Sequence, residues 1–276
     1  MDQPLTEYKQ AIIIGAAPMG NEAGQLLALL KWAGYGPQDE NCDHDCTTCH
    51  TGCAGKTIKK DIYLIAADGG LDFLLKNKMK PDFFIGDTDS FTGEYDVPKK
   101  TGTESADYHF DVQKENDELS LEEKKKKILA GIPHEIVPTE KDDTDMGLAV
   151  ANAYKKGYRE ILLYGGCGGA RVSHTLANIQ LMSSYAKKDC QIRMMGDGIR
   201  MEILWRGCIK FSAAMKGILS VICLSDQAEG VIIRGLKYEY EGRLTSDHAL
   251  GVSNAFIGKD AEISVQEGTL LLIYER

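Results

Sequence analysis

Short apolar runs alternate with helical segments through the first half of the chain, and each apolar run leads into glycine or acidic residues. Continuous apolar strands that alternate with helices are typical of a parallel sheet covered on both faces. The sequence therefore predicts an α/β, Rossmann-like domain. The predicted strands lie within 11–17, 62–70, 82–90, 134–145 and 160–173, and helical segments lie at 21–34, 71–78, 145–157 and 174–188.

After about residue 190 the pattern changes to short β-rich segments separated by Gly, Asp and Asn. This spacing indicates an antiparallel sandwich or barrel. With 276 residues the chain is long enough for two domains. We predict an α/β domain over 1–190 and a β-sandwich over 191–276. Two segments of the first domain are interpreted as insertions: a Cys-rich loop at 36–57 and a charged stretch at about 96–130, the latter a solvated loop and helix face.

The charge balance and the N-terminus exclude several classes of partner. A net charge of −9 and a pI near 5.2 disfavour binding to nucleic acid or to anionic lipid. No apolar run approaches the roughly 20 residues of a bilayer span, and the polar N-terminus lacks the features of a signal peptide. We therefore expect a cytoplasmic protein with no membrane or nucleic-acid partner. A nucleotide ligand is still allowed, because Mg²⁺ can bridge carboxylates to phosphates.

The Cys-rich loop carries Cys42, Cys46, Cys49 and Cys53 in the pattern C-x₃-C-x₂-C-x₃-C. In a large chain that is expected to be intracellular, reduced thiols or metal ligands are favoured over disulfides. Four thiolates can close a tetrahedral, structural Zn²⁺ site, and an iron–sulfur cluster is the alternative. The other four cysteines are scattered and are expected to be small buried side chains.

Acidic loops follow the third and fourth predicted strands. Asp87 and Asp89 are spaced so that both can face one ion, and Asp142 and Asp145 would supply another carboxylate. Ligands of parallel sheets bind beyond the carboxyl ends of the strands, and carboxylate oxygens suit Mg²⁺. Any one of these loops alone is also compatible with an ordinary turn, and Asp145 with a helix cap. Their convergence at one sheet edge predicts a magnesium site.

A glycine-rich run at 165–171 follows the fifth predicted strand and precedes a helix. Glycines let backbone N–H groups approach phosphate oxygens, and a helix N-terminus favours anions. Arg171 is a candidate for bidentate phosphate binding. A tight strand-to-helix turn is the alternative for the run. His174 is interpreted either as a nucleotide contact or as a capping or core histidine.

At these loops the sequence resembles the thiamine pyrophosphokinase family. The family pattern runs A-D-G-G, P-D-x-I-x-G-D-x-D-S, K-D-x-T-D and R-x-D-H with L-A-N. The corresponding segments here are 67–70, 81–90, 141–145, 171–174 and 176–178, in the same order. Segments 230–238 and 251–254 are similar to the thiamine-side segments of the family.

The resemblance implies an N-terminal ATP- and Mg²⁺-binding catalytic domain, a C-terminal thiamine-binding β-sandwich and a homodimer. The implied reaction is Mg²⁺-dependent transfer of pyrophosphate from ATP to the thiamine hydroxyl, giving thiamine diphosphate and AMP. The carboxylates of Asp87, Asp89 and Asp142 would hold Mg²⁺. Either Asp142 or Asp145 would orient or deprotonate the hydroxyl, and the sequence does not choose between them.

The resemblance also assigns the binding residues. The implied ATP-binding residues are Asp68, Gly69, Gly70, Asp89, Thr144, Gly169, Arg171, His174 and Asn178. Ser253 and Asn254 are the implied thiamine-binding residues.

Three positions depart from the family pattern, and they keep two alternatives open. Ser173 replaces the family aspartate before His174, Ala170 stands at an expected glycine, and Gly147 stands where an acidic residue is common. One alternative is a pyrophosphoryl or nucleotidyl transferase that acts on another alcohol, and segment 251–254 argues against it. The other is a non-catalytic, thiamine- or metal-binding regulatory protein, which the four retained aspartates disfavour.

Overall fold

The computed structural model of the protein describes residues 10–20, 22–36, 62–89, 120–169, 172–196 and 198–275. These residues form two compact units. The first unit comprises the described parts of Met1–Ala16 and Ala23–Ala153, and the second comprises those of Ala17–Glu22 and Tyr154–Arg276.

The first unit contains a parallel sheet of four strands in the order β1-β2-β3-β4. Its elements are β1 (Gln10–Ile14), α1 (Glu22–Trp32), β2 (Ile62–Ala67), α2 (Gly70–Lys76), β3 (Phe83–Gly86), α3 (Leu121–Leu129), β4 (His134–Ile136) and α4 (Asp145–Lys155). The predicted parallel α/β architecture is thus confirmed.

Burial in this sheet is greatest in β1 and β2 and lowest in β4. The last four residues of β1 and of β2 are buried, as continuous apolar strands covered on both faces require. All three residues of β4, the last strand in the order of this sheet, are exposed. The fourth predicted strand is therefore short and solvent-facing.

Helix α3 begins at a capping box in the charged segment. The side chain of Ser120 accepts from the Glu123 N–H, and the Glu123 carboxylate accepts in return from the Ser120 N–H at 3.0 Å. Such a reciprocal pair satisfies two of the donors that a helix start leaves open. Of the helix residues only Ile128 is buried, so the predicted exposed helix face is confirmed here.

Gly70 allows α2 to begin directly against the end of β1. A Cβ at Gly70 would lie 1.9 Å from the carbonyl oxygen of Ile14, which is a backbone atom that no side-chain rotation can move. We expect Gly70→Ala to lower the free energy of unfolding by about 1–3 kcal/mol, as overpacking does. Chemical denaturation measures this change.

A matched control for Gly70→Ala is available in the same unit. Gly24 is a helical glycine, and nothing lies within 4 Å of the position that a Cβ would take there. Gly24→Ala should therefore be neutral or stabilise the protein by up to about 1 kcal/mol. Equal stability of the two variants would show that Gly70 is not required for packing.

The second unit combines two parallel strands with an antiparallel β-domain. Its elements are β5 (Glu160–Tyr164), α5 (Val172–Ala186), β6 (Gln191–Gly196), β7 (Ile199–Phe211), β8 (Ile218–Cys223), β9 (Gln227–Arg234), β10 (Tyr240–Thr245), β11 (Asn254–Ala255) and β12 (Ala261–Glu275). Strand β5 pairs in parallel with β6, and β6 pairs antiparallel with β7. From β7 the order continues through β12 and β9 to β10, while β8 pairs with β12 and β11.

Strands β7 and β12 are longer than the sequence predicts. The pattern indicates two short strands in place of each, separated near Gly207 and Gly268. Both glycines have positive φ, 134° and 102°, and the β7–β12 register shifts between Val265 and Thr269. The glycines therefore mark a bulge at which a paired strand changes direction, and they do not end it. The bent strands let one hydrophobic cluster form among β7, β8, β9 and β12.

Strand β6 begins directly after the predicted boundary at 190/191 and takes part in both strand patterns. It pairs with β5 on one side and with β7 on the other, so the parallel and antiparallel parts are continuous there. The two compact units of the described residues divide at 16/17, 22/23 and 153/154. The domain limits 1–190 and 191–276 stay a prediction.

Only the cysteines of the second unit lie among the described residues, so the structure tests only the predictions made for them. Cys167, Cys190 and Cys223 are buried, as expected, whereas Cys208 on β7 is exposed, and none of the four forms a disulfide among the described residues. The predicted metal ligands Cys42, Cys46, Cys49 and Cys53 lie outside the described residues. No helix in the described part of the chain is long and apolar enough to span a membrane.

Candidate functional site

Asp68 lies directly after β2 and next to the end of β3. Its backbone adopts a φ of 48°, and its N–H donates to the carbonyl oxygen of Ile85 at 2.9 Å. A Cβ at Gly86 would lie 3.0 Å from the Cα of Asp68, so a larger residue at that position would press on the Asp68 backbone. Gly86 therefore allows the two strand ends to approach closely.

Asp87 and Asp89 lie on a tight turn that follows β3. The N–H of Asp89 donates to Oδ1 of Asp87 at 3.1 Å, and Thr88 between them has a φ of 64°. This arrangement resembles an Asx turn, in which an aspartate side chain bonds the backbone two residues on. It brings the two carboxylates to the same side of the loop, as the spacing predicts.

The carboxylates of Asp68, Asp87 and Asp89 form one cluster. Each offers an oxygen, and these oxygens lie within 4.8 Å of one another. Asp142, which the sequence analysis places among the magnesium ligands, is exposed and does not belong to this group. Sequence reasoning assigned Asp68 to nucleotide binding alone, although its place at a neighbouring strand end was a signal that it would join the other two.

Lys141 is a residue that the sequence analysis did not assign to the site. Its Nζ lies 2.9 Å from Oδ1 of Asp145 and 3.9 Å from Oδ2 of Asp87, and its side chain is only 15% exposed. Lys141 thus connects the carboxylate cluster to the first turn of α4. Its position as the first residue of the K-D-x-T-D segment at 141–145 was the signal in the sequence that could have identified it.

The pKa of Asp87 lies below its ordinary value. Partial burial raises this pKa. The hydrogen bonds with Asp89 and Thr139 and the charge of Lys141 together lower it by more than burial raises it. The Asp87 carboxylate is therefore ionised under all near-neutral conditions. An ionised, partly buried carboxylate beside two others is a strong cation ligand.

The start of α4 is capped by Thr144. Its Oγ1 accepts from the N–H of Gly147 at 3.0 Å, and its own N–H donates to Asp143 at 2.8 Å. A Cβ at Gly147 would lie 2.2 Å from Oδ1 of Asp143, so glycine makes room for that carboxylate. The sequence allowed Asp145 to be the residue that caps this helix, but Thr144 is the cap. The carboxylate of Asp145 pairs with Lys141.

In the second unit, side chains hold the glycine-rich loop after β5. Asn178 is buried on α5 and donates through Nδ2 to the carbonyl oxygen of Gly166 at 2.6 Å. The N–H of Gly168 donates to Oγ1 of Thr175 at 3.2 Å. Gly165, Gly168 and Gly169 all have positive φ, at 65°, 83° and 74°. The loop conformation therefore requires glycine, and Asn178 positions it.

The two other predicted residues of this loop are His174 and Arg171. His174 is exposed in the first turn of α5, which excludes the core-histidine alternative. Arg171 lies outside the described residues.

Ser253 precedes β11 and Asn254 is its first residue, and the two have different surroundings. Ser253 is exposed, has a φ of 61° and donates its N–H to Oγ of Ser220 at 3.1 Å. Asn254 is buried, and its amide exchanges hydrogen bonds with the backbone N–H and carbonyl of Tyr238 at 2.9 and 2.7 Å. Asn254 therefore joins two backbone segments, and Ser253 is the more accessible of the pair.

The carboxylate cluster of the first unit has the chemistry of a divalent-cation site. Mg²⁺ prefers oxygen ligands and is commonly held by one or two carboxylates together with substrate phosphates. Three clustered carboxylates next to the Lys141 ammonium group leave an excess of negative charge that such a cation would neutralise. The donor set therefore fits Mg²⁺ bound to a phosphorylated substrate.

Comparisons with known proteins find two family models that match this chain. Residues 54–194 match the family model described as thiamin pyrophosphokinase, catalytic domain, and residues 208–270 match thiamin pyrophosphokinase, vitamin B1 binding domain. The thiamine pyrophosphokinase of Bacillus subtilis is 27% identical over 159 residues, which cover 57% of this chain and 74% of that protein.

Solved structures share the fold. The crystal structure of thiamine pyrophosphokinase from Bacillus subtilis superposes with a TM-score of 0.65 at 22% identity, covering 97% of this chain and 99% of that one. Yeast thiamin pyrophosphokinase gives a TM-score of 0.61 at 14% identity, with coverages of 99% and 87%.

Proposed function

This chain belongs to the thiamin pyrophosphokinase family, and from that premise we propose that it transfers the pyrophosphoryl group of ATP to the hydroxyl of thiamine. The products are thiamine diphosphate and AMP. The observation that carries the proposal is the carboxylate cluster of Asp68, Asp87 and Asp89, which lies within the residues that match the catalytic model.

In the proposed reaction the thiamine hydroxyl oxygen forms a bond to the β-phosphorus of ATP. The bond between that phosphorus and the oxygen bridging to the α-phosphorus breaks, and AMP leaves with the bonding electrons. The hydroxyl proton passes to a carboxylate or to solvent. Such transfers depend on positioning and charge neutralisation more than on covalent help from the protein.

We propose that Asp68, Asp87 and Asp89 hold Mg²⁺, with Asp68 in the role that the sequence analysis gave to Asp142. When bound, Mg²⁺ would neutralise charge on the phosphates of ATP. The hydrogen bond from the Asp89 N–H fixes the Asp87 carboxylate before any cation arrives. The ligands are thereby arranged in advance, which reduces the reorganisation that binding requires.

The two remaining acidic residues take different roles in the proposal. Asp145 is bound to Lys141 at 2.9 Å, so it positions that ammonium group. Asp142 is exposed and is left as the carboxylate that can accept or orient a substrate hydroxyl. Of the two alternatives that the sequence left open, the proposal therefore favours Asp142.

For ATP, we propose that backbone N–H groups of the loop 165–169 approach the phosphates, with Arg171 adding charge. Asn178 supports this loop through its bond to Gly166 and has no need to contact ATP itself. Asp68, Gly69, Gly70, Thr144, Gly169 and His174 stay predicted nucleotide contacts. The loss of the family aspartate at Ser173 is compatible with this division of roles, because Ser173 is exposed on α5.

For thiamine, we propose that Ser253 is a direct contact and that Asn254 shapes the loop. This division follows the exposure of Ser253 and the two bonds of Asn254 to the backbone of Tyr238. It refines the prediction in which both residues contact thiamine.

Incubation of the full chain with thiamine, ATP and Mg²⁺, followed by chromatographic product analysis, tests the proposed reaction. We expect thiamine diphosphate and AMP in equal amounts, and neither product when EDTA replaces Mg²⁺. ADP with thiamine monophosphate would contradict pyrophosphoryl transfer. Binding of thiamine without any product would support the regulatory alternative, and products with a different alcohol alone would support the other transferase.

The homodimer and the cytoplasmic location also stay proposals. The family resemblance supports a dimer, and cysteines without a disulfide among the described residues suit a reducing compartment. Sedimentation of the purified chain at several concentrations would measure the oligomeric state.

A further inference from the structure

A cleft of about 430 Å³ in the second unit lies outside the residues that the proposed reaction uses. It is bordered by the starts of β6 and β7, the end of β7 and the residues that follow it, and the end of β12. Sites for small organic ligands have volumes of roughly 300–1,000 Å³. The cleft is therefore large enough for a small molecule.

The polar floor of the cleft is a closed hydrogen-bond network around the buried carboxylate of Glu202. Oε2 of Glu202 accepts from Arg193 Nε at 3.3 Å and from Gln191 Nε2 at 3.4 Å, and Oε1 accepts from the hydroxyl of Tyr274. Burial and the bond to Glu202 raise the pKa of Tyr274 to about 12, so its hydroxyl remains a donor at neutral pH. The carboxylate of Glu202 is thus fully engaged.

The two arginines that line the cleft differ in how well they are satisfied. Arg193 is paired with Glu202 and also with Glu160, at 2.8 Å. Arg200 lies 5.8 Å from the centre of the Tyr274 ring and also interacts with the Tyr274 hydroxyl through a side-chain hydrogen bond, whereas its Nε is buried without a hydrogen-bond partner among the described residues. A buried guanidinium N–H without an acceptor is costly, and in native proteins such a group usually has a protein, water or ligand partner.

The remaining wall suits an organic body attached to an anion. Lys210 adds a second cation at the rim, where its ion pair with Glu262, at 3.5 Å, is largely exposed and so holds it weakly. Ile209, Phe211 and Met215 supply apolar surface beside these cations. A polar anchor with an adjoining apolar wall is the usual arrangement of a small-molecule site.

We propose that this cleft binds a small organic anion, with its carboxylate or phosphate group on Arg200 and Lys210 and its apolar part on Phe211 and Met215. The inference is independent of the proposed pyrophosphoryl transfer, because none of these residues belongs to that machinery. Arg200 supplies the specific contact, since a guanidinium presents two parallel donors to an oxyanion.

Three probes with the same ring test the proposal on the full-length chain. Benzoate carries a carboxylate, phenyl phosphate carries a phosphate, and benzyl alcohol carries no charge. Calorimetric titration at constant ionic strength should detect binding of at least one anion, and no binding of benzyl alcohol. Benzoate alone would identify a carboxylate site, and phenyl phosphate alone would identify a phosphate site. Absence of binding by both anions would refute the proposal.

Two substitutions assign the binding to the cleft. Arg200→Met should weaken binding of the anion by about tenfold or more, as expected for a lost charge-assisted contact. Arg243→Met is the matched control, because Arg243 is an exposed arginine of the same unit outside the cleft, and it should bind as the wild type does. Unchanged affinity of Arg200→Met would overturn the proposal.

A conservative variant keeps the test decisive if Arg200→Met does not fold. Arg200→Lys retains the cation but loses the two-pronged geometry, so it should weaken binding by about threefold or more. Arg243→Lys should not. Equal affinities of these two variants would contradict the role of Arg200.

Discussion

Asp87→Asn should lower the rate of thiamine diphosphate formation by about 100-fold or more, the size of effect seen when an electrostatic group of an active site is removed. The change preserves the shape of the side chain and removes one charge from a cluster whose oxygens lie within 4.8 Å. The remaining carboxylates of Asp68 and Asp89 should then hold Mg²⁺ more weakly. Steady-state rates over a Mg²⁺ titration would show both the lower maximum and a higher half-saturating concentration.

The fold should survive Asp87→Asn. Asp87 lies on a loop after β3, and its change removes no apolar contact, so the melting temperature should shift by less than about 4 °C. Asp189→Asn is the matched control, because it makes the same chemical change at an exposed carboxylate in the turn after α5, and its rate should be normal. A near-normal rate and Mg²⁺ dependence in Asp87→Asn would rule out the cluster as the metal site.

Lys141→Met should destabilise the protein in EDTA by about 1–3 kcal/mol, and Mg²⁺ should restore much of the loss. The Lys141 ammonium lies 2.9 Å from Asp145 and 3.9 Å from Asp87, in side chains that are no more than 20% exposed. Removing one partner of a largely buried ion pair leaves an uncompensated charge, which costs more than loss of a surface pair. A bound cation would neutralise the same carboxylates. Thermal melting in EDTA and in excess Mg²⁺ measures the difference.

Two comparison variants separate this role from a general effect of losing a lysine. Lys125→Met removes a cation that pairs with Glu122 at 3.1 Å on α3, away from the cluster, and its small loss should be the same in EDTA and in Mg²⁺. Lys141→Arg keeps the charge and should be stable in both conditions. An equal loss for Lys141→Met with and without Mg²⁺ would show that Lys141 does not balance the metal-binding carboxylates.

Local sequence patterns determined the architecture and the acidic loop, because the pattern behind each of them spans only a few neighbouring residues. Apolar runs that alternate with helical periods specify buried parallel strands, and the spacing of Asp87 and Asp89 specifies a turn that presents two carboxylates. The structure confirms the parallel sheet, the change to antiparallel strands and the juxtaposition of these two side chains. The change of pattern after residue 190 was also visible, although β6 belongs to both patterns.

The sequence by itself thus determined the fold class, the family and the acidic loop after β3, since each depends on residues that are close together along the chain. Only the tertiary structure decided which distant groups meet there. Asp68 joins Asp87 because the small residue Gly86 lets β2 and β3 end against each other, and Lys141 reaches the cluster from the loop before α4. The unpartnered Nε of Arg200 in the cleft of the second unit was equally invisible in the sequence, because burial and hydrogen-bond partners depend on how β6, β7 and β12 pack.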